Sequence, residues 1–114
     1  MSQGISVLVY PVKDLTQAKT LFSEFLGVEP YVDQPYYVGF RVGDQEIGLD
    51  PHGHKKGNTS PIAYREVTDI TKSLQSLLDA GGKAHQDVQD VGGGKLIASV
   101  KDADDNIIGL MQSP

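Results

Sequence analysis

The strongest constraint on this chain is that its second half repeats its first. Val12-Lys13-Asp14-Leu15 opens a run that closes at Gly27, and Val67-Thr68-Asp69-Ile70 opens a similar run that closes at Gly81. After a gap, each run is followed by Ile-Gly-Leu, at Ile47-Gly48-Leu49 and at Ile108-Gly109-Leu110. Corresponding positions lie 55, 54 and 61 residues apart, about half of the 114-residue chain. A repeat of this period is a duplicated supersecondary unit that cannot bury its apolar face alone. Two such units related by a pseudo-twofold axis leave a cleft between them, and the residues facing it decide what chemistry is open to the protein.

Each half spells the same element order. Ile5 to Val12 is rich in β-branched residues and reads as a strand. Asp14 is a helix N-cap, with Gln17 three residues on as the return half of a capping box. Leu15, Ala18, Phe22 and either Phe25 or Leu26 then recur at helical spacing, and Gly27 ends the helix. Tyr36 to Val42 and Gln45 to Asp50 are strands joined at Gly43-Asp44, and the polar stretch His52 to Ser60 reads as a linker. In the second half Ile62 to Val67 is a strand, and Asp69 caps a helix carrying Ile70, Leu74, Leu77 and Leu78 up to Gly81. Lys83 to Val88 is a short strand, and Lys95 to Lys101 and Asn106 to Met111 form a closing hairpin. The fold class is therefore α+β, mostly antiparallel, with helices on one sheet face and the other face free to curve. The chain is one domain, residues 1–114, with modules at about 1–55 and 60–114.

Composition narrows the partners. Ten Lys and Arg stand against fifteen Asp and Glu, a net charge of −5 with no basic run, which argues against nucleic acid or an anionic membrane. Without cysteine there is no disulfide, thiolate nucleophile or thiolate ligand. The apolar stretch within Met1 to Pro11 is too short for a signal peptide or a membrane span, so a cytoplasmic location is expected.

Strand alternation assigns side chains to faces. Leu8, Tyr10, Val12, Val38, Phe40, Val42, Ile47, Leu49, Leu96, Ala98 and Val100 belong under the helices, and Arg65 falls on that side too. Tyr37, Arg41, Glu46, Gly48, Asp50, Tyr64, Glu66 and Gly109 fall on the opposite, concave face. They are the candidate ligand-binding residues: an aromatic wall, a guanidinium for a carboxylate or carbonyl, and carboxylates able to move protons. The same polar residues could equally form an internal salt-bridge network or a dimer contact.

The Val-x-Asp-[Leu/Ile] junctions at 12–15 and 67–70, Leu26-Gly27-Val28, Ala80-Gly81-Gly82 and the run Val100 to Leu110 resemble the vicinal oxygen chelate superfamily. That superfamily includes glyoxalase I, bleomycin-resistance proteins, extradiol dioxygenases and methylmalonyl-CoA epimerase. The resemblance covers nearly the whole chain. Asp102-Ala103-Asp104-Asp105-Asn106 is similar to its Asp-Pro-Asp-Gly-Asn hairpin, with Ala103 for Pro and Asp105 for Gly. It implies two tandem βαβββ modules forming an open, cup-shaped mixed sheet, helices on the convex face, usually in a homodimer. It also implies a divalent metal held by four side chains, two from each module. Their counterparts here are Val7, Gly48, Ile62 (Pro61 if the register slips) and Gly109, none of which carries a donor atom on its side chain. No metal and no cofactor are therefore expected. The two glycines would leave the cup floor open, so that an apolar or aromatic ligand could approach the backbone.

Other motifs read more plainly as structure. His52-Gly53-His54 lacks further ligands and belongs to a solvent loop. Asp102 to Asn106 lacks the Gly and Glu of a calcium loop and reads as a turn. Gly92-Gly93-Gly94-Lys95 precedes a strand rather than a helix and reads as a hairpin end. No Gly-x-Ser-x-Gly elbow is present. The leading expectation is a metal-independent, homodimeric protein of the glyoxalase/bleomycin-resistance type that binds a small organic molecule. The alternatives are an isomerase or lyase using Glu46, Asp50 or Glu66 as base and Tyr37 or Tyr64 as acid, and a non-catalytic interaction domain.

Overall fold

A computed structural model describes residues 4–114, so Met1 to Gln3 of the N-terminal stretch read above lie outside the described residues. The fold is α+β and consists of two βαβββ modules. The chain divides into two compact units, Ser6–Ile62 and Ala63–Pro114, with Gly4 and Ile5 joining the second.

The first unit runs β1 (Val7–Pro11), α1 (Leu15–Leu26), β2 (Val32–Gln34), β3 (Tyr37–Val42) and β4 (Gln45–Asp50), with strand order β2-β3-β4-β1. β1 runs parallel to β4, and β3 runs antiparallel to both β4 and β2, so the sheet is mixed. Asp14 caps α1 by accepting the Gln17 N–H at 3.0 Å, and Gly27 stops it at φ 73°. The helix lays Leu15, Ala18, Phe22 and Leu26 on Val38, Phe40 and Leu49, which are fully buried. Burial on this scale is worth about 1.5–3 kcal/mol per large side chain. Of the two residues offered for the inner stripe, Leu26 takes the place and Phe25 stays 75% exposed, its ring edge-on to Phe22.

Two features depart from the sequence reading. β2 has no sequence signal, since three residues ahead of Pro35 are too few to show a period. The stretch from His52 to Ser60 is not an open linker. It folds into a 3₁₀ turn at His54–Lys56, closed by the Asn58 N–H donating to the Gly53 carbonyl at 2.9 Å. Gly53 and Asn58 are buried, and a Cβ on Gly53 would sit 2.6 Å from the Pro11 Cβ, so the turn lies tight against the end of β1.

The second unit repeats the plan: β5 (Ile62–Glu66), α2 (Ile70–Asp79), β6 (Lys83–Asp90), β7 (Leu96–Lys101) and β8 (Ile107–Gln112), with strand order β5-β8-β7-β6. β5 is parallel to β8, and β7 is antiparallel to both its neighbours. Asp69 caps α2 through the Lys72 N–H, and the Gln112 side chain accepts the Ile70 N–H at 2.8 Å. Ile70, Leu74 and Leu77 pack on Ala98 and Leu110. Arg65 pairs with Leu110 across β5 and β8, so it stands on the α2 side, where the alternation put it. β6 is longer than the expected Lys83 to Val88, and its register with β7 slips twice, between Ala84 and Gln86 and between Gln86 and Gln89.

Candidate functional site

The pairing of β3 with β4 builds the best-formed polar cluster. Gly39 stands opposite Gly48, and Arg41 opposite Glu46, on the face turned away from α1. Two glycines side by side leave a flat, bare strip of backbone, which weakens a sheet unless something covers it. The Tyr37 ring covers it. A Cβ on Gly48 would lie 2.7 Å from the Tyr37 Cε1 and Cζ, and one on Gly39 would lie 3.1 Å from Tyr37 Cε2 and 3.3 Å from Tyr31 Cε1. The expectation of an open floor at Gly48 is therefore corrected. The glycine makes room for a tyrosine of its own module, whose ring packs against the backbone there, as aromatic rings do over sheet glycines.

Both rings deliver their hydroxyls to one carboxylate. The Tyr37 Oη donates to Glu46 Oε2 at 2.6 Å, and the Tyr31 Oη donates to Glu46 Oε1. The Arg41 Nη2 stands 3.9 Å from Oε1, and its guanidinium lies 4.6 Å over the centroid of the Tyr31 ring. Glu46 is shielded, its side chain only 16% exposed, while Arg41 above it is 64% exposed. Burial, and then the bond to ionised Glu46, push the Tyr37 phenol far above its ordinary pKa of 10. The same two causes raise Tyr31, with Arg41 opposing them.

Asp50 shares the face, and its charge reaches Tyr37, but its oxygens bond elsewhere. Its Oδ1 accepts the His52 N–H at 2.8 Å and its Oδ2 pairs with Lys56 Nζ at 3.2 Å, so it serves the turn that follows β4. His52 and His54 are exposed there.

In the second unit Tyr64 pairs with Gly109 across β5 and β8, and its ring covers that glycine. A Cβ on Gly109 would lie 2.6 Å from Tyr64 Cε1, so the floor is closed here as well. Glu66 accepts a hydrogen bond from the Ser113 hydroxyl. Ser99, opposite Gly109 on β7, is 2% exposed and is joined to His85 Nδ1 at 2.9 Å. The register slip in β6 brings His85 to it.

The structure thus gathers Tyr37, Arg41, Glu46 and Gly48 into one cluster, seats Tyr64 on Gly109, and holds Asp50 and Glu66 in separate local bonds. Tyr31, Gly39, His85 and Ser99 were not among the candidates. Tyr31 enters only because β2 follows it and its N–H bonds to the Gly39 carbonyl at 2.9 Å. The clue available beforehand was Gly39 itself, a second glycine two residues along from Tyr37 on the same face.

The glyoxalase/bleomycin resistance protein/dioxygenase superfamily model matches residues 4–110. The chain belongs to that superfamily. Solved structures agree on the fold. A superfamily member from Vibrio splendidus 12B01 aligns with a TM-score of 0.72 at 14% identity over 94% of this chain and 97% of that one. Methylmalonyl-CoA epimerase from Mycobacterium tuberculosis aligns with a TM-score of 0.70 at 16% identity, covering 99% and 90%. A protein described as NAD-dependent benzaldehyde dehydrogenase from Legionella pneumophila aligns with a TM-score of 0.78 at 12% identity, covering 95% and 98%. No functionally curated protein matches the sequence.

The superfamily's metal does not fit this member. Of the positions that correspond to its ligands, Val7 and Ile62 are buried aliphatics. Gly48 and Gly109 lack side chains, and the space where a ligand side chain would stand is filled by a tyrosine ring. Among the described residues no group of three or more His, Asp or Glu is placed to hold an ion. Among those residues, too, no helix is long and apolar enough to cross a membrane.

Proposed function

We propose that this superfamily member binds a small organic molecule without a metal, on the face of the first module that carries Tyr31, Tyr37, Arg41 and Glu46. The supporting observation is the pair of phenols converging on Glu46 beneath an outward guanidinium. Arg41 is not what holds the cluster together, since both phenols bond to Glu46 directly while the guanidinium, 64% exposed, stands 3.9 Å away. The rings offer apolar walls and Arg41 offers a polar anchor, the usual makings of a ligand site. We place this binder in the cytoplasm, as a homodimer.

The acid–base alternative is less well supported. Tyr37 is a poor proton donor near neutral pH, because its proton is committed to Glu46 and its pKa is raised. The three carboxylates considered as bases each accept from internal partners: Glu46 from two phenols, Asp50 from His52 and Lys56, Glu66 from Ser113.

The test is a thermal-shift screen of small organic molecules against protein held in excess chelator. A bound compound raises the melting temperature by mass action. We expect at least one compound to raise it, with Tyr37→Ala abolishing that rise after allowance for its own lower melting point. A rise that vanishes in chelator contradicts metal independence. No rise with any compound contradicts the binding reading.

A further inference from the structure

We infer that the ligand of this face is a small organic anion, a carboxylate carried on an apolar or aromatic body, with Arg41 as its counter-ion. This deepens the binding reading above and rests on it. The cluster has few groups left to offer a ligand. Both phenolic protons are spent on Glu46. Glu46 in turn has its Oε1 and Oε2 engaged from within the module and is largely covered, so a ligand arriving from solvent does not reach its oxygens. It meets Arg41 instead.

The guanidinium is set up for that encounter. At 3.9 Å it is attracted to Glu46 by charge but lies beyond hydrogen-bond length; the Tyr31 hydroxyl draws on part of its N–H fork, and the rest is left for a partner. The guanidinium carbon lies 4.6 Å from the centroid of the Tyr31 ring, a cation–π contact that holds the group over that ring. A planar donor edge held in place matches a carboxylate, which it can take with two parallel bonds. Asp50 does not compete, because Lys56 and the His52 N–H hold it at the other end of the strand. The same layout disfavours a cationic ligand, which would have to pass the exposed Arg41 to reach the covered Glu46. The chain's net charge of −5 gives an anion no long-range steering, so recognition rests on these contacts.

Calorimetric titration of the chelator-treated full chain with three compounds of similar shape tests this: phenylacetate, phenylacetamide and phenethylamine. We expect phenylacetate to bind at least about tenfold more tightly than the other two, a free-energy gap of about 1.4 kcal/mol. Arg41→Gln should remove that preference, and Arg41→Lys should restore only part of it, since an ammonium lacks the two-pronged edge. Arg41 is exposed, and circular dichroism of the variants should match the parent. Equal or tighter binding of phenylacetamide or phenethylamine overturns the anion assignment while leaving the binding reading standing. An Arg41→Gln protein that keeps its preference for phenylacetate overturns the role of Arg41. Binding of none of the three at millimolar concentration also overturns the proposal, and the thermal-shift screen then decides whether the broader reading falls with it.

Discussion

Tyr37 performs two tasks with different atoms. Its ring covers the Gly39–Gly48 strip, and its hydroxyl holds Glu46. Tyr64 repeats the first task over Gly109. A methyl group on Gly48 or Gly109 must displace the ring that lies against it, which costs about 1–3 kcal/mol as overpacking. Gly48→Ala and Gly109→Ala should therefore each lower the urea midpoint, and unchanged midpoints would mean that the rings do not lie where the structure puts them. At this scale the sequence is informative about faces and silent about fillings. Alternation puts Tyr37, Glu46 and Gly48 on one face, because a period of two is a local property of extended backbone. It does not show that the Tyr37 ring leans over Gly39 on its own strand and Gly48 on the next, since that depends on how β3 and β4 pair. Nor does it show Tyr31, which is placed by its backbone bond to Gly39.

The elements are the most legible level. Both N-caps, the stop at Gly27 and the strand Gln45–Asp50 follow from capping chemistry and periodicity that the chain carries locally. β2 and the His54–Lys56 turn are not legible, because each is shorter than the period that would reveal it and is held by contacts from elsewhere in its unit. The hairpin between β7 and β8 shows how a turn motif survives substitution. Asp102 accepts the N–H groups of Asp104 and Asn106 at 2.8 and 2.9 Å and the Asn106 side chain at 3.0 Å, and the Asn106 bonds hold its carboxyl below the usual carboxylate range. Asp105 then turns at φ 64°, a left-handed conformation that Asp tolerates and β-branched residues resist. Asp105→Val should cost about 1–2 kcal/mol, while Asp105→Gly should hold stability or raise it. Thermal melts compare the two, and equal melts would contradict the assigned turn.

For the whole molecule, the two phenols bonded to Glu46 predict how stability responds to alkali. Tyr31 and Tyr37 are raised when folded and ordinary, near 10, when unfolded. Their contribution is fully present below about pH 10 and is lost as the pH climbs above it, because the unfolded chain gives up these protons first. The protein should destabilise steeply above that pH, and Tyr37→Phe should flatten the loss. An unchanged slope in the variant would remove Tyr37 from the account. The duplication that makes the fold readable also makes the superfamily's metal readable as missing, since the two modules spend the corresponding glycines in the same way, each beneath a tyrosine. Native mass spectrometry of freshly purified protein, paired with elemental analysis, tests that reading most directly. We expect chains that carry no stoichiometric divalent metal. One zinc, nickel, iron or manganese ion per chain, retained through chelation and dialysis, would contradict it.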